Sequence, residues 1–242
     1  MKTNFAAAPV AILVNGPSSS GKSTVCRGLQ DRLINLADGD PAATFGFVAF
    51  DDKFRLISDK LYSTMFVAVA GGDLSRLASR EANDGRAAWE YADDRNAEGK
   101  HGGSPRIGLV LSAHTRRLLT GIHRGWSEYL KLGTNLIIDH FLQEREWCEE
   151  LFGVLKDSGA RIFLVGVHCS LQELERRETS RADGRLEGRP LGMARRSDEI
   201  CHTHGLQYDA TVRTDQQTTA ESVDTIVAAL RAADCLPGKP AA

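Results

Sequence analysis

The residues best suited to chemistry lie in a glycine- and serine-rich stretch near the amino terminus. Residues 16–24 read Gly-Pro-Ser-Ser-Ser-Gly-Lys-Ser-Thr and match the pattern G-x-x-x-x-G-K-[ST]. The glycines let the backbone curl until its N–H groups point at phosphate oxygens, and Lys22 reaches the β- and γ-phosphates as a positive charge. The Ser23 hydroxyl is placed to bind Mg²⁺. We therefore predict that this loop binds ATP together with Mg²⁺.

All nine positions of the loop are candidate nucleotide-binding residues. They are Gly16, Pro17, Ser18, Ser19, Ser20, Gly21, Lys22, Ser23 and Thr24. The apolar run at residues 10–14 predicts a buried strand before the loop, and the apolar spacing at residues 25–33 predicts a helix after it. Strand, loop and helix in this order are the context that the motif requires. A serine-rich surface loop is the alternative interpretation.

Aspartates follow two further apolar runs. Asp51 and Asp52 come after residues 47–50, and Asp139 comes after residues 136–138. Ligands of open α/β sheets bind beyond the carboxyl ends of the strands. We expect the first pair to supply the base for an acceptor hydroxyl, and Asp139 to hold Mg²⁺ directly or through water. Each aspartate could instead cap a helix or a turn.

An arginine-rich segment covers residues 176–196 and contains three interspersed glycines. Its arginines are Arg176, Arg177, Arg181, Arg185, Arg189, Arg195 and Arg196. In a small-molecule kinase such a segment is typical of a lid that closes over the phosphates and supplies guanidinium groups to the transferring phosphoryl group. A solvated helix face balanced by neighbouring glutamates is the alternative.

The elements that position these residues alternate along the chain. Buried-strand candidates lie at residues 10–14, 45–50, 136–138, 162–167 and 210–212, with helical spacing between them. Thr218 and Glu221 form a capping box before the last helix. The pattern predicts an α/β fold: a three-layer P-loop NTPase resembling nucleoside kinases, with a parallel sheet of about five strands flanked by helices.

Domain organisation follows from composition. We predict a single kinase domain over residues 1–242, with a polar, glycine-rich insertion at 72–106 on the substrate side and a frayed tail at 236–242. A net charge of −2 gives no electrostatic case for nucleic acid or membrane partners. Five widely spaced cysteines favour reduced thiols in a cytoplasm. The sequence leaves a homo-oligomer as one possible state of the protein.

Weaker signals lie elsewhere. The run Cys201-His-Thr-His204 resembles half of a metal site, but no second cluster has ligand spacing. His140, beside Asp139, could contact substrate or simply pack. Four aromatic residues could line an acceptor pocket, although core positions are the commoner role. They are Trp89, Tyr91, Trp126 and Tyr129.

Several motifs together resemble the chloramphenicol phosphotransferase family. The resemblance covers most of residues 9–232 apart from the middle insertion. Its motifs are Gly21-Lys-Ser23, Arg27-Gly-Leu-Gln30, Asp52-Lys-Phe54, Ile137-Ile-Asp-His-Phe-Leu142, Val165-Gly-Val-His-Cys169, Glu175-Arg-Arg-Glu-Thr-Ser-Arg181, Gly192-Met193 and His204-Gly-Leu-Gln-Tyr-Asp209.

The resemblance implies a cytoplasmic enzyme that uses ATP and Mg²⁺ to phosphorylate a hydroxyl of an antibiotic-like molecule such as chloramphenicol. It maps the catalytic aspartate onto Asp52, with Asp51 as the alternative, and keeps Lys22 in the phosphate loop. The family's lid arginines fall within residues 177–189. Within that range we assign Arg181 and Arg185 to catalysis and Arg177 to the nucleotide.

The chain departs from the family pattern near the expected acceptor. His140 stands where the family often has a second acidic residue, and the middle region is longer than in short members. The resemblance therefore supports the type of reaction more strongly than the identity of the acceptor. Two other functions compete: a kinase of a metabolite such as a nucleoside, sugar nucleotide or small acid, and a nucleotide-dependent switch that binds a partner.

Overall fold

The computed structural model describes residues 8–38, 40, 43–51, 66–68, 107–109, 111, 113–182 and 191–236. At 66–68, 107, 108, 181 and 182 only the backbone is described. Within these ranges the strands are β1 (Val10–Asn15), β2 (Phe45–Ala49), β3 (Phe66–Ala68), β4 (Ile107–Leu109), β5 (Asn135–His140), β6 (Arg161–His168) and β7 (Ala210–Arg213). The helices are α1 (Lys22–Leu36), α2 (Ala113–Lys131), α3 (Arg145–Asp157), α4 (Leu171–Ala182), α5 (Met193–Ile200) and α6 (Thr219–Ala232).

Five strands form one parallel sheet in the order β2-β5-β1-β6-β7. This confirms the predicted parallel sheet of about five strands flanked by helices. β1 lies at its centre and pairs along its length with β5 on one side and β6 on the other. Because every strand runs the same way, all carboxyl ends lie along one edge, which is where open α/β sheets bind ligands.

The central strand is buried on both faces, which explains its unbroken apolar run. Ile12 and Val14 face a core built with α1 and α6, and Ala11 and Leu13 face a second core built with α2 and α3. Successive strand residues point to opposite faces, so one strand anchors both cores. The result is three layers: helices, sheet, helices.

Helix boundaries follow local chemistry at two places. The Thr218 hydroxyl accepts from the Glu221 N–H, and the Glu221 carboxylate accepts from the Thr218 N–H, so the predicted capping box of α6 is present. Gly21 adopts a left-handed conformation just before α1, which only glycine does without steric cost. Both helices therefore begin where the sequence indicates.

Some of the structure departs from the predicted outline. β3 and β4 form a separate antiparallel pair that apolar patterning did not indicate. α4 and α5 occupy much of the lid segment, while residues 183–190 lie outside the described residues. Leu236 packs against the core although we placed it in the tail, and 72–106 and 237–242 also lie outside the described ranges. None of the described helices is long and apolar enough to cross a bilayer.

One glycine in the sheet can be tested by substitution. A Cβ at Gly166 of β6 would lie 2.9 Å from the ring of Tyr208, closer than packing allows. We expect Gly166→Ala to lower the free energy of unfolding by about 1–3 kcal/mol, because the ring must move. Urea denaturation followed by circular dichroism measures this.

The matched control is Gly153→Ala in α3, where a Cβ meets no atom within 4 Å. Alanine favours the helix over glycine, so this variant should gain up to about 1 kcal/mol. Equal stabilities for the two variants would contradict the packing of Tyr208 on β6.

Candidate active site

The phosphate loop leaves the carboxyl end of β1 and runs into the first turn of α1. Ser19 and Gly21 both have left-handed backbones, with φ of 65° and 86°. Such conformations are common where a loop turns its N–H groups inward to form an anion-binding concavity. The first turn of α1 contains no acidic residue, so the positive end of the helix faces the same place without competition. The loop is therefore shaped for phosphate.

Ser23 and Asp139 come together beside the loop. The Ser23 hydroxyl donates to Oδ2 of Asp139 at 2.5 Å, and Asp139 is buried at the end of β5. The pairing of Val14 with Asp139 across β1 and β5 fixes this approach. A hydroxyl and a carboxylate are hard oxygen donors, which Mg²⁺ prefers. These are the two residues predicted to hold the metal.

The Lys22 amino group lies over its own loop, where it donates to the Pro17 carbonyl at 2.8 Å. A neutral carbonyl is a weaker partner for an ammonium group than an anionic phosphate oxygen. An entering phosphate would therefore compete well for this amino group.

Arg177 of α4 contacts the back of the loop. Its guanidinium donates to the Thr214 hydroxyl at 3.0 Å, to the Thr214 carbonyl at 2.8 Å and to the Ser20 carbonyl at 3.4 Å. Its Nε donates to Glu173 at 2.7 Å, and the Thr214 hydroxyl itself donates to the Ser20 carbonyl. Arg177 thus lies beside the phosphate loop and joins the loop to the end of β7.

The other predicted site residues have varied positions. Asp51 lies just beyond the end of β2 and is exposed. Asp52 and Arg185 lie outside the described residues, and Arg181 is described only as backbone in α4. The structure therefore brings together the loop, Asp139 and Arg177.

Asn15 is a functional-site residue that sequence reasoning missed. Its buried amide group donates to the Cys201 carbonyl at 2.7 Å and to the Tyr208 hydroxyl at 2.8 Å, and it accepts from the Leu142 N–H at 3.1 Å. Three distant segments are thereby tied to the residue just before the loop. No local pattern marks such a residue, because all its partners are remote in sequence.

α5 also takes part in the site. The Ser197 hydroxyl accepts from the Ser18 N–H of the loop at 2.8 Å. The first turn of α5 is held in turn by Glu178 of α4, whose carboxylate accepts from the N–H groups of Gly192 and Ala194, both at 2.8 Å. The predicted lid segment is therefore connected through α5 to the phosphate loop.

A buried chain of polar side chains ends at His140. Nε2 of His140 lies 3.1 Å from Nε2 of His123, whose Nδ1 lies 3.4 Å from Glu150. The hydrogen bond with His123 lowers the pKa of Glu150, so the carboxylate is ionised and Nδ1 of His123 carries a hydrogen. When His123 is neutral, its Nε2 accepts and Nε2 of His140 donates. His140 is thus held by two helices at the end of β5.

Aromatic rings surround this chain. Phe50, at the end of β2, has its ring centroid 4.6 Å from that of His140 and 5.9 Å from that of Trp147. Trp126 is a core residue, not a pocket residue, because it packs with Leu13 and Leu151; Tyr129 is exposed. Trp89 and Tyr91 lie outside the described residues.

A second histidine pair lies on the other side of β1. The rings of His168 and His202 stack with centroids 4.0 Å apart, and Nδ1 of His202 lies 2.6 Å from the Tyr208 hydroxyl. Burial lowers the pKa of His202 to about 4, with further contributions from His168 and the Lys22 charge. Cys201 is buried beside them. His204 approaches the carbonyls of Leu142 and Gln143, away from this pair.

Known proteins share both sequence and fold with this chain. The model of a family described as chloramphenicol phosphotransferase-like protein matches residues 10–231. A protein of Mycobacterium tuberculosis strain H37Rv, described as a candidate O-phosphotransferase, is 30% identical over 185 residues, which cover 76% of this chain and 68% of the relative.

Solved structures share the architecture at low sequence identity. A sugar kinase of Janibacter sp. HTCC2649 has a TM-score of 0.58 and 12% identity, covering 95% of this chain and 99% of that one. An APS kinase of M. tuberculosis, solved with AMPPNP and APS, has a TM-score of 0.53 and 16% identity, covering 93% and 98%. These likenesses show the fold of P-loop kinases.

The low pKa of His202 predicts a pH dependence of stability. The unfolded chain takes up a proton on this residue near pH 6.5, whereas the folded chain does so only near pH 4. Between these values the unfolded state binds more protons, so the free energy of unfolding falls as pH falls. We expect His202→Gln to lose less stability than the unsubstituted chain between pH 7 and pH 5, measured by urea denaturation.

The matched control is His114→Gln, which changes an exposed histidine of α2. It should follow the unsubstituted chain. A His202→Gln profile parallel to that of the control would mean that the buried imidazole carries no such linkage.

Proposed function

The chain belongs to the chloramphenicol phosphotransferase-like family and is a phosphotransferase, and from this we propose that it moves the γ-phosphate of ATP onto a hydroxyl of a small antibiotic-like molecule. The observation that carries the proposal is the contact between Ser23 and Asp139 beside a loop with two left-handed residues. That arrangement combines a phosphate cradle and a metal ligand pair in one place. Chloramphenicol is the first acceptor to test.

The nucleotide half of the reaction rests on the loop. The left-handed residues Ser19 and Gly21 and the positive end of α1 suit the binding of a polyphosphate. Lys22 can exchange the Pro17 carbonyl for a phosphate oxygen. ATP is supported further by the likeness in fold to a kinase solved with AMPPNP.

Ser23 and Asp139 are the residues that would hold Mg²⁺, since both are oxygen donors within hydrogen-bond distance of each other. When bound, Mg²⁺ supplies positive charge that offsets the charge developing on the phosphates. The chain's own task here is orientation: the pairing of β1 with β5 keeps Asp139 level with the start of the loop.

The acceptor half of the reaction lies beyond the end of β2. Ala49 pairs with Asp139, and Phe50 packs against His140, so Asp51 lies at the same sheet edge as Asp139. The acceptor oxygen forms a bond to the γ-phosphorus while the bond to the β,γ-bridging oxygen breaks. ADP leaves with that electron pair, and the hydroxyl proton passes to Asp52.

The cellular setting is also part of the proposal. We place the enzyme in the cytoplasm, where ATP is available and where its five buried cysteines, all free, would remain reduced. Its role would be resistance to an antibiotic that carries an alcohol. Its partner is the small acceptor itself, with neither nucleic acid nor a membrane involved.

A turnover assay tests this function. We expect MgATP consumption to rise on addition of chloramphenicol and mass spectrometry to find product heavier by one phosphoryl group. Lys22→Ala should weaken MgATP binding about tenfold to a hundredfold in Kd, because a charged hydrogen bond to phosphate is lost. Isothermal titration calorimetry measures that Kd.

Lys131→Ala, at the end of α2 far from the site, is the charge-matched control and should bind MgATP normally. Phosphorylation of a nucleoside, sugar nucleotide or small acid in place of chloramphenicol would identify a metabolic kinase. Hydrolysis that ignores every acceptor would favour a switch. Absence of MgATP binding by the unsubstituted chain would end the proposal.

The base can be identified by a pair of variants. Asp52→Asn should lower kcat by about 10²-fold or more and leave MgATP affinity nearly unchanged, because only proton transfer from the acceptor is affected. Asp51→Asn should lower kcat far less. The reverse ranking would make Asp51 the base, and unchanged turnover in both would remove this pair from the mechanism.

A further inference from the structure

One arginine of α5 is mostly buried and has few partners among the described residues. The side chain of Arg196 is only 11% exposed, and its one ion pair among the described residues joins Nη1 to Glu199 at 3.5 Å, the limit of a hydrogen bond. A guanidinium has five N–H donors and cannot lose its charge. Burying such a group is costly unless an anion compensates it. The site of Arg196 is therefore suited to an anion that the described residues do not supply.

The preceding arginine is the opposite case. Arg195 donates from Nε and Nη2 to the Glu175 carboxylate of α4, at 2.8 Å and 2.6 Å. That contact joins α5 to α4. Among the described residues, Arg195 thus has an anionic partner at short distance, and Arg196 has one only at 3.5 Å.

Helix geometry explains the difference. Arg196 lies three residues after Met193, on the same side of α5, whereas Arg195 lies on the far side, toward Glu175. Met193 packs in one cluster with Phe50, which directly follows β2 and precedes Asp51. Ser197, the next residue after Arg196, binds the Ser18 N–H of the phosphate loop. α5 therefore contacts both the cluster that contains Phe50 and the phosphate loop, and Arg196 lies nearer to this side of the helix than Arg195 does.

We propose that Arg196 is a catalytic residue that binds the transferring phosphoryl group, an inference that rests on the proposed function. The phosphoryl group passes from ADP to the acceptor between the loop and the end of β2. Its three oxygens hold the charge that develops as one P–O bond breaks and the other forms. A planar guanidinium can donate two N–H groups to such oxygens, and its long contact with Glu199 is readily exchanged.

The test uses a probe that needs no known acceptor. MgADP with aluminium fluoride mimics the planar phosphoryl group in the transition state of the transfer. Aluminium fluoride should tighten MgADP binding to the unsubstituted chain, and Arg196→Lys should lose about 10²-fold of that gain while MgADP alone binds as before. Titration calorimetry with and without fluoride gives both affinities.

The matched control is Arg195→Lys, the same chemical change one residue earlier. It keeps a charge for Glu175 and should retain the full gain from aluminium fluoride. With a working acceptor, Arg196→Lys should lower kcat by about 10²-fold with a smaller change in KM, and Arg195→Lys should change kcat little. Circular dichroism of both variants checks that the fold is kept.

The possible outcomes separate the two proposals. If MgADP fails to bind the unsubstituted chain, the proposed function falls and Arg196 with it. If MgADP binds but Arg196→Lys keeps the gain from aluminium fluoride, only the role of Arg196 is overturned. A rise in acceptor KM alone would also overturn it, since the arginine would then contact the acceptor. If Arg196→Lys unfolds, the test uses Arg196→Ala with added guanidinium ion. Recovery of the tighter MgADP binding in the presence of aluminium fluoride would then support the proposal, and no recovery would overturn it.

Discussion

The whole site depends on how firmly β1 is held. This strand is buried on both faces and hydrogen-bonded along both edges, so its carboxyl end has almost no freedom. The phosphate loop starts there, and Asn15 adds three side-chain hydrogen bonds at the point where strand becomes loop. A loop with two left-handed residues keeps that conformation only where the surrounding structure fixes it. The central strand fixes the point at which the loop begins.

The opposite wall of the loop is built from α4, α5 and β7. Arg177 and Thr214 hold the Ser20 carbonyl, and Ser197 holds the Ser18 N–H. These contacts fix the backbone of the loop at two positions, Ser18 and Ser20. Glu178 fixes the start of α5 to α4, so the helices that flank the predicted lid are coupled to the same loop.

Sequence patterns predicted the parts of the structure that have local signals. Long apolar runs predicted the five strands of the main sheet, and the motif residues of the phosphate loop and Asp139 lie at the carboxyl ends of these strands, as expected. β3 and β4 were not predicted, because a strand of three residues is too short to show an alternation of apolar and polar residues. Other contacts of the site were missed for another reason: the partners are remote in sequence, and the residue types are common on any surface. These are the contacts of Asn15, Ser197 and the His123–Glu150 pair.

The order of the strands has a consequence for how the chain is made. The hydrogen bond between Thr214 and Ser20 spans 194 residues, and that between Asn15 and Tyr208 spans 193. At roughly 5–20 residues per second, a ribosome needs about 10–40 s to synthesise that interval. For much of that time the apolar β1 lacks its sheet neighbours β5 and β6, which are synthesised later, and this exposes an apolar segment and delays assembly. In this topology the central strand is synthesised before both strands that cover its edges, so the last step of sheet assembly depends on late segments of the chain.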